Sequence, residues 1–148
     1  MEFDEEFLGK LLEQAMENPR LRQNFDLRTS SADTSQRMLN ALQPQTEVSI
    51  HRHEKTAETV ICLVGKLEEI IYEEVNEYVH EATSCCDDVI RQKSFKEVSR
   101  QVLSPAEGKF GIQIPAGAWH TINVIEPSVI FEAKDGAYNE FGNKTDKK

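Results

Sequence analysis

Apolar positions near the N-terminus repeat with a helical period. Phe7, Leu8, Leu11, Leu12, Ala15 and Met16 follow the i, i+3, i+4 rule of an amphipathic helix. Asp4 stands where an N-cap belongs, and Asn18-Pro19 where the helix should stop. Its apolar face reads as one that packs against the rest of the protein. Residues 20–35 are polar, rich in Asn, Asp, Ser and Thr, and read as a loop. From Arg37 the period shortens. Strands are expected over Arg37–Gln43, Glu47–His53, Thr59–Val64, Lys66–Tyr72, Ser99–Leu103, Gly111–Ile114, His120–Val124 and Val129–Ala133. Pro44, Gly65, Pro105, Gly108, Pro115-Ala116-Gly117 and Pro127 punctuate them. Many short strands with regular turn signals favour an all-β sandwich or barrel. Residues 73–96, with Glu73, Glu74, Glu77, Glu81, Asp87 and Asp88, break the regularity as an excursion containing either a strand or a helical turn. Such charge runs are usually solvated surface.

The 148 residues suffice for one hydrophobic core, and 39% hydrophobic with 29% charged residues is ordinary for a globular chain. The expected layout is a helix and loop over residues 1–35, a barrel over 36–135, and a solvated tail over 136–148. A net charge of −9, with lysines gathered only at Lys144, Lys147 and Lys148, argues against a nucleic-acid partner. The N-terminus is acidic where a signal peptide is basic, and no apolar run approaches a membrane span, so a cytoplasmic location is expected. Cys62 lies in an apolar run and reads as a reduced core thiol. Cys85 and Cys86 could bind metal or oxidise, but no second Cys/His pair sits at ligand spacing.

The chemistry concentrates in the histidines. His51 and His53 flank Arg52 at the end of an expected strand, where alternation sends both imidazoles to one face. Glu58 follows five residues later, at the head of the apolar strand Thr59–Val64. His120 follows the turn Pro115-Ala116-Gly117. Three of the four histidines thus fall in two strand-plus-turn segments, and only His80 lies outside.

His51-x-His53-x4-Glu58-x6-Gly65 resembles the first cupin motif, and Pro115-x-Gly117-x2-His120 with Asn123 resembles the second. Gln45 and Lys109 replace the glycines that usually open them, and Asn123 stands one residue closer to its histidine than usual. The stretches Asn18–Asn24 and Gln36–Leu42, with His51-Arg52-His53 and Pro115–Thr121, are further similar to the WbuC family. Those are small cupin-fold metalloproteins associated with bacterial surface-polysaccharide gene clusters. The resemblance implies a cupin-type double-stranded β-helix, or jelly-roll barrel, with an N-terminal α-helix. It also implies a divalent metal held by His51, His53, Glu58 and His120.

Three imidazoles and one carboxylate suit Fe, Mn, Ni, Zn or Co and leave two octahedral positions open. A closed structural zinc site, or core histidines without metal, are the plainer alternatives. Arg20, Arg22 and Arg37 are candidate contacts for an anionic ligand, beside Arg28, although solvated loop arginines are commoner. Trp119 is a further candidate contact, with packing the commoner role. Glu47 and Glu132 could line the cavity, depending on register. Tyr138 is expected to cover an edge. The function the resemblance implies is action on, or binding of, a small sugar-derived or acidic metabolite in surface-polysaccharide metabolism. Isomerase or epimerase chemistry, an Fe(II) oxygenase and a non-enzymatic binding module all fit. Exposed sheet faces of such barrels can pair, which extends the expectation to a homodimer.

Overall fold

A computed structural model describes residues 1–82 and 87–136. Helix α1 spans Glu5–Glu17, and the Asp4 carboxylate accepts from the Phe7 amide at 2.9 Å. That bond satisfies one of the free N–H groups of the first turn. Six strands follow: β1 (Arg22–Asp26), β2 (Ser35–Leu42), β3 (Glu58–Ala82), β4 (Asp87–Leu103), β5 (Gly111–Ile114) and β6 (Trp119–Asp135). They pair antiparallel in the order β1-β2-β6-β3-β4, with β5 also on β3. This mostly-β, antiparallel arrangement with one helix is the cupin-type jelly roll.

Alternation along β2 explains the two apolar cores. Leu39 and Ala41 face α1, where they meet Leu11, Ala15 and Val129. Phe7 of the helix packs edge-on against Phe25 of β1, with ring centroids 5.2 Å apart. Leu42 faces the other way, into the barrel with Val60, Cys62, Leu67, Leu103, Ile114, Val124 and Ile130. Each fully buried side chain of this size contributes about 1.5–3 kcal/mol. Burial pushes the Cys62 thiol up to about 11, as suits a reduced core cysteine.

The strands are longer than the apolar pattern suggests. The expected Thr59–Val64 and Lys66–Tyr72 are one strand, β3, and His120–Val124 and Val129–Ala133 are one strand, β6. Gly65, at φ +94°, turns β3 without ending it, and register shifts against β6 run from Cys62 to Leu67. A β-bulge bends a strand and lets pairing resume on the new heading. The polar segment after Arg20 contains β1, because its backbone completes the edge of β2. Glu47–His53 is not a strand. It is extended chain held by a single bridge in which His51 and His120 exchange backbone hydrogen bonds of 3.0 and 2.8 Å.

The acidic excursion is a two-stranded ribbon made by the ends of β3 and β4, with a bulge at Ile71/Tyr72. Val75, Tyr78, Val79, Val89, Ile90 and Phe95 supply the strand-forming residues. Lys93–Glu74 and Lys96–Glu73 pair across it at 3.1 and 3.9 Å, exposed contacts that each contribute little. Cys85, Cys86, Tyr138 and the tail lysines lie outside the described residues.

Candidate metal centre

Three chain segments deliver the histidines to one point. The His51–His120 bridge lays the incoming loop against the start of β6, and the Gly117 amide donates to the His53 carbonyl at 2.7 Å. Thr121 Oγ1 donates to the Val48 carbonyl at 2.5 Å and fixes the same loop from the other side. The imidazole centroids are then 4.2 Å (His51–His120), 5.3 Å (His51–His53) and 5.5 Å (His53–His120) apart. One nitrogen from each ring lies within 4.8 Å of the others. Two nitrogens on opposite sides of one ion stand about 4.2 Å apart, so this is the spacing a single cation bridges.

Glu58 opens β3 on the same face. Its Oε2 is 2.6 Å from His53 Nε2 and 4.0 Å from His120 Nε2. The sequence-derived set His51, His53, Glu58 and His120 therefore converges in the structure.

The hydrogen bonds behind the rings orient them. His51 Nδ1 is 2.8 Å from the Ser49 carbonyl, and His120 Nδ1 is 2.9 Å from that of Ala118. A carbonyl can only accept, so each Nδ1 carries the proton when the ring is neutral and each Nε2 keeps its lone pair. His120 is 3% exposed, and its buried Nε2 has no hydrogen-bond partner. Burial, then the neighbouring His120, pushes the His51 pKa down to about 4, and burial also lowers His120. Burial alone would raise Glu58, but the His53 hydrogen bond and the other imidazoles outweigh it and leave the carboxyl below its usual range. Neutral imidazoles at His51 and His120, with the proton on Nδ1, and an ionised carboxylate at Glu58 are the protonation states a divalent cation binds. The side chains fit a metal.

Around this cluster the barrel interior is polar in a way the motifs do not foretell. Register sets Glu58 opposite Lys134, Lys134 opposite Gln36, and Glu132 opposite both Met38 and Val60. Burial, then the negative charge of Glu58, raises Glu132 to about 8, and the Asn40 amide hydrogen-bonds it. Glu69, 2% exposed, is also raised, by burial and then by Glu58 and Glu132. Glu132 thus lines the interior as its alternation allows, while Glu47 is exposed. A signal for Glu69 does exist in the sequence. It shares parity with buried Leu67 and half-buried Ile71 along β3, so an inward carboxyl is implied once the strand is known.

The other candidates stand apart. Arg37 pairs with Asp33 at 2.7 Å and Arg28 with Asp26 at 2.9 Å. Arg22 lies on the rung of Leu42 and Ser128, six residues along β2 from the Gln36–Lys134 rung, roughly 20 Å away. Arg20 is exposed just before it. Trp119 shares a rung with Tyr72, its ring 4.8 Å from Phe95 and with the Arg52 guanidinium 4.6 Å above it. It packs on the side of the strand opposite to His120.

Residues 3–83 match the family described as "Domain of unknown function (DUF6016)". No curated protein sequence matches the chain. Among solved structures, a conserved protein of unknown function, SPY1581 from Streptococcus pyogenes, aligns at 13% identity and TM-score 0.53, over 82% of this chain and 80% of its own. The capsular polysaccharide assembling protein CapF from Staphylococcus aureus aligns at 17% identity and TM-score 0.51, over 83% of this chain but 30% of its own. L-ribose isomerase from Cellulomonas parahominis aligns at 14% identity and TM-score 0.53, over 80% of this chain and 62% of its own. At these identities the likeness is one of fold. It reaches the cupin level of the resemblance and not the WbuC family in particular. Among the described residues no helix is long and apolar enough to cross a membrane.

Proposed function

The chain belongs to the DUF6016 family, whose description carries no activity, and we propose from its own side chains that it is a divalent-metal protein of small-molecule metabolism. The ligands in this reading are His51, His53, Glu58 and His120. The observation that carries it is the convergence of three imidazoles and one carboxylate, with the lone pairs of His51 and His120 freed by Nδ1 hydrogen bonds to backbone.

A cation held there supplies Lewis-acid polarisation of a carbonyl or hydroxyl oxygen. The remaining work falls to the chain. Glu58 brings the one charged ligand, and the Ser49 and Ala118 carbonyls hold two of the rings in place. Glu132, hydrogen-bonded by Asn40 and adjacent to Glu58, is the carboxyl from which a proton could be exchanged with a bound hydroxyl, as an isomerase or epimerase requires. The names of CapF and L-ribose isomerase point the ligand toward sugars, in the direction of surface-polysaccharide metabolism.

Elemental analysis of purified protein tests the centre. About one divalent ion per chain is expected for wild type. His51→Ala and His120→Ala should each lose most of it while keeping the β-sheet circular dichroism, because both apolar cores exclude these residues. Stoichiometric metal in the double variant would overturn the ligand set.

A further inference from the structure

Several polar atoms of the barrel interior are not used by the metal ligands or by the packing. Glu69 Oε2, Asn40 Oδ1 and Gln36 Oε1 are each buried without a protein partner. The Asn40 amide is oriented, since its nitrogen is spent on Glu132 and its oxygen is the free end. Gln36 and Glu69 are 5% and 2% exposed.

Register puts these groups on two strands that face one interior, β2 and β3. Gln36 and Asn40 alternate inward along β2, on the side of Leu42 and away from the helix-facing Leu39 and Ala41. Glu69 faces inward from the second half of β3, close enough that the charges of both Glu58 and Glu132 act on it. All three free atoms are oxygens. What would complete them is a molecule rich in hydrogen-bond donors.

Charge narrows the class further. Among the described residues Glu58, Glu69 and Glu132 face the interior with one amine, Lys134, beside Glu58 and Glu132, and burial favours the neutral form of Glu69 and Glu132. Arg28 and Arg37 are committed to Asp26 and Asp33, and Arg22 lies at the far end of the strand. A carboxylate or phosphate entering this space would set acceptor oxygens against those of Asn40 and Gln36, and among the described residues no guanidinium faces it there. A hydroxyl meets an acceptor.

We propose that the interior beside the His/Glu cluster is a subsite for a neutral polyhydroxylated ligand, whose hydroxyls donate to Glu69 Oε2, Asn40 Oδ1 and Gln36 Oε1. This deepens the reading of a metal-dependent small-molecule protein and rests on it for the ligand's approach to the cation. It sets aside the anionic ligand that the arginines suggest in the sequence.

Titration calorimetry on zinc-loaded and metal-free protein tests the subsite. The neutral probes are ribose, fructose, ribitol and mannitol, and the anionic ones ribonate, gluconate and ribose 5-phosphate. At least one neutral probe should bind the loaded protein at least tenfold more tightly than every anion. Glu69→Met should weaken it about tenfold with zinc per chain unchanged, the loss expected for one strong hydrogen bond. Asn40→Ala should do the same, and Glu69→Gln, which keeps an acceptor oxygen, should lose less. An anion binding most tightly, full affinity in Glu69→Met, or no neutral probe binding either form would each overturn the subsite. If wild type takes up no zinc yet binds a neutral probe metal-free, the metal reading falls and the subsite stands.

Discussion

Replacing Glu69 by methionine should make the metal-free protein more stable while it weakens ligand binding. Glu69 is 2% exposed, and its Oε2 has no protein partner. A buried polar atom left without a hydrogen bond costs about 1–3 kcal/mol, and methionine fills nearly the same volume with no such atom. For a chain of 148 residues this corresponds to a rise in melting temperature of roughly 2–10 °C.

The pH dependence carries a sign of its own. Burial, then Glu58 and Glu132, raises the Glu69 pKa in the fold above the ordinary 4.5. Between those two values the native state holds a proton that the unfolded chain has released. Native stability therefore falls as pH rises through that window. The advantage of Glu69→Met should be smallest near pH 4.5 and should grow as pH rises above it. Thermal melts of both proteins in chelator at several pH values measure it. A variant that melts below wild type, or a gap that does not widen with pH, would show that Glu69 holds the barrel together and is not a group kept for a ligand.

Two further outcomes follow from the same structure. Gly65→Ala should destabilise the fold by about 2–5 kcal/mol in urea unfolding. The left-handed φ of +94° costs a side chain about 1–2 kcal/mol, and a Cβ there would press on the Pro127 carbonyl and stand 2.7 Å from Ser128 Cα, adding about 1–3 kcal/mol of overpacking. A neutral result would mean that the turn in β3 relaxes freely. The second outcome concerns His51, whose pKa falls from 6.5 to about 4 on folding. The native state binds fewer protons than the unfolded chain across that window, so this contribution is complete above pH 6.5 and lost as pH drops toward 4, by about 3 kcal/mol. Glu132, raised to about 8, works in the opposite sense between its ordinary 4.5 and that value. Comparing wild type with His51→Asn across pH isolates the histidine part, and equal acid slopes in the two proteins would refute it.

Much of the centre is legible in the one-dimensional text because its parts are local. His51-x-His53, Glu58 and Pro115-x-Gly117-x2-His120 each sit within a few residues of a turn, and alternation plus turn length suffice to aim them. The helix is legible for the same reason, since Asp4 caps it and its apolar stripe is continuous. The strands are less so. A β-strand's length is decided by the partner that takes its hydrogen bonds, and β3 and β6 run past Gly65 and Pro127 only because each supports the other. The polar stretch after Arg20 becomes β1 through pairing with β2, and the acidic excursion becomes a ribbon by pairing with itself.

What the linear order determined is the candidate ligand set and the apolar faces of the helix and of the short strand segments. What only the folded chain decided is the company those ligands keep. Glu69, Asn40 and Gln36 look like surface residues in their own segments. They become interior acceptors because three strands far apart in sequence bring matching faces to one space, and register between distant strands is a property of the closed sheet rather than of any stretch within it.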